Sequence, residues 1–239
     1  MKTALPHSAL TKLLATLVFF VSCLSAAVAG GSSFEDTFAE DMSSSYQTEG
    51  GGWSYDSGRR CFVMAKLLPT NNESMWAVRQ DVALPRAFTF EADFTADGND
   101  ASAALALKNP ETGDHVLATV SLKKDEEGGW WVTAWIVYSY PDEKWGYLQQ
   151  TKKHIANLVD LTFTLQLTRS PGSNALDFVV ANSDLGTLET SLSPETRGED
   201  GKELSPAWIE TLDALSQVGL FGYDTGGAWS RVKLTDLTQ

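Results

Sequence analysis

The sequence predicts an all-β chain folded as an antiparallel sandwich with a single short helix. Three observations predict it. Several segments alternate apolar and polar residues with a period of two, turn residues separate them at short intervals, and one stretch alone has helical spacing. Leu161-Thr162-Phe163-Thr164-Leu165-Gln166-Leu167-Thr168 alternates without a break. That pattern is a strand with one buried and one wet face.

Taken in order, Phe88 to Phe94 is an early strand, stopped by Asp97-Gly98-Asn99-Asp100. Leu105 to Lys108 and His115 to Lys123 flank Asn109-Pro110-Glu111-Thr112-Gly113-Asp114 as a hairpin. After Leu161–Thr168, Ser170-Pro171-Gly172-Ser173-Asn174 is a turn, and Ala175 to Ala181 and Gly186 to Leu192 continue as strands. The helix is expected near 206–216. Ser205 is its cap, Pro206 its first residue, and Trp208, Ile209, Leu212 and Leu215 its apolar face. The chain closes on Val218 to Gly222, a glycine turn, and Ala228 to Leu234, read as a hairpin.

Residues 1–29 read as a secretory signal peptide, leaving residues 30–239 as one sandwich domain. Lys2 and Lys12 give a basic start, Leu13 to Val21 a short apolar run, and Ala27-Val28-Ala29 a small-x-small cleavage site. A secreted or periplasmic location follows. The alternative is an envelope lipoprotein lipidated at Cys23, within Phe20-Val21-Ser22-Cys23. Cleavage after Ala29 leaves Cys61 as the one cysteine, so no internal disulfide is expected and the core must hold the domain. The formal charge of −13 disfavours nucleic acid and anionic membranes. It also disfavours acidic polysaccharides unless a local basic patch exists.

Phe34-Glu35-Asp36-Thr37-Phe38 followed by Gly51-Gly52-Trp53-Ser54, the strands Phe88–Phe94 and Ala103–Leu107, Leu161–Arg169 with Leu176–Val180, and the closing Val218–Leu234 segment keep a common order. Together they resemble the concanavalin A-like lectin/glucanase superfamily, including laminin-G-like domains and secreted sandwich domains related to 3-keto-disaccharide hydrolases. The resemblance implies a jelly-roll sandwich. It implies no one reaction, because that fold serves lectins, adhesion modules and hydrolases alike.

Three groups of residues are candidates for chemistry. Tyr138 and Tyr140 lead into Pro141-Asp142-Glu143-Lys144, and Trp145, Tyr147, Gln149 and Gln150 follow. If this is a hairpin, Tyr138 opposes Tyr147 and Tyr140 opposes Trp145, placing four rings on one face as a platform for sugar rings. The alternative is that the rings of this segment fill the core or cover a sheet edge, and on that reading Trp130, Trp131 and Trp135 are mostly core. Glu91 and Asp93 share one strand face and are the weak catalytic candidates, since paired carboxylates serve glycosidases. Laminarinase-type members resemble E-x-D-x-x-E there, but this chain has Ala96 in the last position. A solvated strand face explains both acids fully, since Phe88, Phe90, Ala92 and Phe94 occupy the other side. Many proteins of the fold bind structural calcium where first and last strands meet, which makes Asp36 and Asp236 metal candidates. Asn72-Glu73-Ser74 is a glycosylation sequon.

The expected role is carbohydrate binding through the aromatic platform, with a glycan or polysaccharide as partner. The alternatives are a glycoside hydrolase using Glu91 or Asp93 and a non-enzymatic adhesion module of the cell envelope.

Overall fold

Every long alternating segment of the sequence is a strand in the structure, a computed structural model that describes residues 33–67, 74–98, 100–139, 147–197, 203–204 and 207–238. Tyr147 and Ala207 are described by their backbones alone. The strands are β1 Phe34–Asp36, β2 Tyr46–Glu49, β3 Gly52–Asp56, β4 Cys61–Ala65, β5 Ser74–Arg79, β6 Phe88–Ala96, β7 Asp100–Lys108 and β8 His115–Lys124. They continue as β9 Trp130–Ser139, β10 Tyr147–Ile155, β11 Thr162–Arg169, β12 Leu176–Asn182, β13 Gly186–Leu192, β14 Gln217–Tyr223 and β15 Gly227–Asp236. One helix, α1 Ala207–Ala214, precedes β14. No helix among the described residues is long and apolar enough to cross a membrane.

Two antiparallel sheets form a sandwich. Sheet I has eight strands, ordered β13-β12-β11-β6-β15-β4-β3, with β1 paired to β15. Sheet II has seven, ordered β10-β9-β8-β7-β14-β5-β2. Alternation decides the core. Phe88, Phe90, Ala92 and Phe94 of β6 are fully buried against Leu105, Leu107, Val132, Ala134 and Ile136 of sheet II. A Phe or Leu so enclosed contributes roughly 1.5–3 kcal/mol relative to exposure. Trp229 meets Phe94 at 4.8 Å between ring centroids. A bulge after Trp229 lets that ring stay inside while Arg231 points outward opposite Asp93.

Two local expectations are corrected. The closing pair is no hairpin: β14 lies in sheet II between β7 and β5, and β15 lies in sheet I between β6 and β4. The turn between them carries the chain across the sandwich, as the connection from β6 to β7 also does. Periodicity reads strands but not which sheet each joins. Along α1, Trp208, Leu212 and the following Leu215 are buried, but Ile209 is 40% exposed. Trp208 sets the orientation, because its indole N–H donates to the Asn174 carbonyl at 2.8 Å and its ring packs edge-on to Tyr138. Ser205 and Pro206, the expected start of the helix, lie outside the described residues.

The two sheets are clamped near one edge by a buried ion pair. Arg79 of β5 donates to Asp36 of β1, and the Tyr46 hydroxyl of β2 donates to the same carboxylate at 2.7 Å. Asp81 binds the guanidinium from the other side, and Phe34 lies 4.6 Å beneath it. Burial pushes the Asp36 carboxyl above its ordinary value even though Tyr46 and Arg79 pull it down.

Candidate functional site

The outer faces of the two sheets differ in chemistry, and the difference locates the site. The outer face of sheet I is a charge network. Arg231 bonds Glu35 at 3.1 Å and lies 3.7 Å from Glu91 and 3.9 Å from Asp93. Lys233 reaches Glu35 at 3.8 Å, Thr164 donates to Asp93 at 2.8 Å, and Gln166 to Glu91 at 3.4 Å. Glu91 and Asp93 do share a face, as their spacing requires. Each has a cross-strand partner there, the pattern of a solvated sheet surface held by side-chain pairs.

The outer face of sheet II is aromatic and partly apolar. Strand register sets one row across it: Gln150, Trp135, Thr119, Ala104, Phe221, Trp76 and Glu49, from β10 to β2. The next row is Leu148, Val137, Leu117, Ala106, Gly219 and Val78. Ala104, Ala106, Leu117, Val137 and Phe221 form a second buried apolar cluster, with Trp76 and Leu148 packed on it. An outer sheet face is ordinarily polar, so an apolar cluster on that side, buried under Trp76 and Leu148, is the informative departure.

Small residues make room for the rings. Trp76 sits on β5 and His115 on β8, three strands apart, yet their ring centroids are 5.3 Å from each other. Both rings must therefore lean over β14 and β7, where Gly219, Ala104 and Ala106 leave the floor low. Phe221 supports Trp76 at 4.7 Å. Across the floor, the Trp135 indole N–H donates to the Ser121 hydroxyl at 2.8 Å, and Ser121 is 2.7 Å from the Ser102 hydroxyl. This chain of bonds fixes the angle at which the Trp135 ring stands on the sheet.

Trp131 stands further along β9 and is 40% exposed. Its ring meets His154 at 5.0 Å, and His154 is bound to Asp125 at 2.6 Å. That bond holds the Asp125 carboxyl below its ordinary value. Gly129 leaves space for the pair, since a Cβ there would lie 2.5 Å from His154 Nε2. His115 is pushed below the ordinary imidazole value by burial. The folded state therefore resists protonating it, while the unfolded chain protonates near about pH 6.5. The stability this contributes is present above that pH and lost as pH falls through it. His115→Gln should show a shallower fall in unfolding free energy between about pH 7.5 and 5.5 than the parent protein, measured by urea denaturation.

The residues expected to bind sugar are only partly where the sequence placed them. The register pairs Tyr147 with Tyr138 as the hairpin requires. Tyr138, however, faces inward, is 2% exposed, and packs against Trp208. Its ring belongs to the core because β9 turns Trp130, Val132, Ala134, Ile136 and Tyr138 toward sheet I. Tyr140 and Trp145 lie outside the described residues. Gln149 pairs with Ile136 at an inward position, and the amide on the aromatic face is that of Gln150. Trp131 and Trp135, core residues only on the core-filling alternative, stand on the outer face by the alternation of β9.

The metal candidates do not fit calcium. Strands β1 and β15 pair, but Asp36 falls opposite Val232, not beside Asp236. Asp36 is spent on Arg79 and Tyr46, and Asp236 accepts from the Thr238 backbone N–H at 2.8 Å. Among the described residues no three acidic, histidine or cysteine side chains cluster as a metal site. Asn72 of the sequon is outside the described residues.

Comparison with known proteins supports the fold and stops there. No protein-family model matches the chain, and no curated protein does. Among solved structures, the acidic lectin of winged bean, complexed with methyl-α-D-galactose, aligns with a TM-score of 0.52 at 10% identity, over 84% of this chain and 96% of the lectin. A seed lectin of Lotus tetragonolobus aligns with a TM-score of 0.49 at 12% identity, over 85% and 97%. A Bacteroides ovatus GH16 protein of a mixed-linkage glucan locus, in complex with an oligosaccharide product, aligns with a TM-score of 0.48 at 12% identity, over 84% and 99%. The chain has the concanavalin A-like jelly-roll fold, and at such identities the likeness carries no residue across.

Proposed function

We propose that this is an exported glycan-binding protein whose binding face is the outer surface of sheet II. The observation that carries the reading is the row Gln150–Trp135–Thr119–Ala104–Phe221–Trp76. It sets flat rings, hydroxyls and an amide across an apolar floor on the outside of the sandwich. Indole faces pack against the C–H faces of sugar rings, and the exposed Gln150 amide with the half-buried Ser121 hydroxyl offers hydrogen bonds to sugar hydroxyls. Rings already fixed by contacts, as Trp135 is by Ser121, lose little freedom on binding. The lectin with methyl-α-D-galactose has the same fold, which supports a sugar as ligand without identifying it.

The contrast between the two faces supports binding over catalysis. Glu91 and Asp93 sit on the opposite side of the sandwich, engaged by Arg231, Thr164 and Gln166. The experiment is a glycan array probed with the protein and with Trp135→Ala. Signal on a defined glycan class that the variant loses supports the reading. A blank array, or equal signal from both proteins, removes it.

A further inference from the structure

The outer face of sheet II repeats one arrangement at its two ends. At one end Lys152 Nζ lies 5.3 Å from the Trp131 ring centroid, with His154 at 5.0 Å. At the other, Lys108 Nζ lies 5.2 Å from the Trp76 ring centroid, with His115 at 5.3 Å. Each end is thus a tryptophan flanked by an ammonium and an imidazole. Lys123, exposed on β8, adds a third ammonium as the cross-strand neighbour of Trp131.

We infer that the glycan taken by this face is anionic, carrying carboxylate or sulfate groups; the inference rests on the glycan-binding reading above. The chain as a whole carries a formal charge of −13, so a cationic face is not its default. Part of its acidic charge lies on the other sheet: Glu35, Glu91 and Asp93 are on sheet I, near Arg231 and Lys233. On sheet II, Asp125 is held by His154, Asp100 stands opposite Lys123 at the start of β7, and Glu49 stands opposite Trp76 on the edge strand β2. None of Lys108, Lys123 and Lys152 forms an ion pair with a described carboxylate, and two of them have aromatic rings as their close partners. An ammonium over an indole keeps its stem on apolar surface and its charge in reach of solvent. A sugar stacked beside that ring would bring a carboxylate or sulfate to the ammonium, adding a charge-assisted bond to the stacking.

Spacing sets the ligand's size. Trp131 and Trp76 stem from β9 and β5, four strands apart, which is on the order of 20 Å of sheet at ~4.8 Å per strand. Both ends are engaged together by an oligosaccharide or polymer and not by one sugar. Trp135 shares β9 with Trp131 and a cross-strand row with Trp76. Divided engagement of this kind multiplies affinity through effective concentration.

The test is calorimetric titration with three oligosaccharides of equal length: an oligogalacturonate, a sulfated galactan and a neutral galactan. The parent protein, Lys108→Gln/Lys152→Gln and Trp135→Ala are each titrated at low and high salt. We expect at least one anionic oligosaccharide to bind about tenfold or more tighter than the neutral one. That advantage should shrink with salt and collapse toward unity in the double lysine variant. Whether uronate or sulfate binds better separates the two sources of charge. Equal binding of neutral and anionic ligands, or a preference surviving loss of both lysines, overturns the anionic assignment while leaving glycan binding intact. Anionic binding indifferent to Trp135→Ala is nonspecific polyanion attraction and overturns it too. No binding to any of the three also overturns it, and the array result then decides the glycan reading separately. Unchanged thermal midpoints of the variants confirm that each still folds.

Discussion

Trp135→Ala should weaken glycan binding by at least about thirtyfold while the protein keeps its fold. Truncating a central aromatic at a binding face commonly costs 2 kcal/mol or more, and 1.4 kcal/mol is tenfold in affinity. Trp135 has Gln150 and Thr119 beside it in register, shares β9 with Trp131 and shares its row with Trp76. Its N–H bond to Ser121 is on the surface side of the sheet, so its loss leaves the core cluster of Val132, Ala134 and Ile136 untouched. Circular dichroism and the unfolding midpoint check the fold, and titration checks affinity. Retained affinity in a folded Trp135→Ala protein means that the ligand, if any, sits elsewhere.

Arg79→Met should cost about 3–5 kcal/mol of stability, among the largest effects of any single substitution in this chain. Asp36 is 4% exposed and depends on Arg79 and Tyr46. Removing the guanidinium strands a buried carboxylate, and it also releases Asp81 and the ring of Phe34. Taking both charges out of water offsets much of their attraction, so the intact buried pair adds little net stability. Asp36→Leu/Arg79→Met should therefore be more stable than Arg79→Met alone, which denaturant unfolding of the two variants will read directly. A double variant no better than the single one would show that the network holds the sheets through more than charge pairing.

Much of the fold was legible because its strands alternate. Phe88–Phe94 and Leu161–Thr168 bury one face and wet the other, and the structure gives β6 and β11 in the same places. The crossing of β14 to β15 was not legible, because a tight turn between two apolar strands reads as a hairpin unless the partners β5 and β7 are known. The site was less legible still. In Trp130-Trp131-Val132-Thr133-Ala134-Trp135, parity puts Trp131 and Trp135 on the face opposite Trp130. A signal was therefore present, but both faces of β9 carry large apolar side chains, so alternation alone did not say which was outer. Trp76 is separated from β9 by three other strands of the sheet, and only the register unites them. The small residues Ala104, Ala106 and Gly219 give no sign in the sequence that they let rings lie across the outer face. Charge misled in a different way. The total of −13 hides a face bearing Lys108, Lys123 and Lys152, because net charge says nothing of its distribution.

The most direct measurement is an oxidative footprint of the tryptophan side chains, with and without a glycan selected on the array. Trp131, Trp135 and Trp76 share the outer face of sheet II, and Trp53 on β3 of sheet I serves as the internal reference. Binding on the aromatic face predicts that glycan protects Trp131 and Trp135, with Trp76 protected by longer oligosaccharides, while Trp53 is unaffected. Protection confined to Trp53, or none at any tryptophan under saturating glycan, would contradict it.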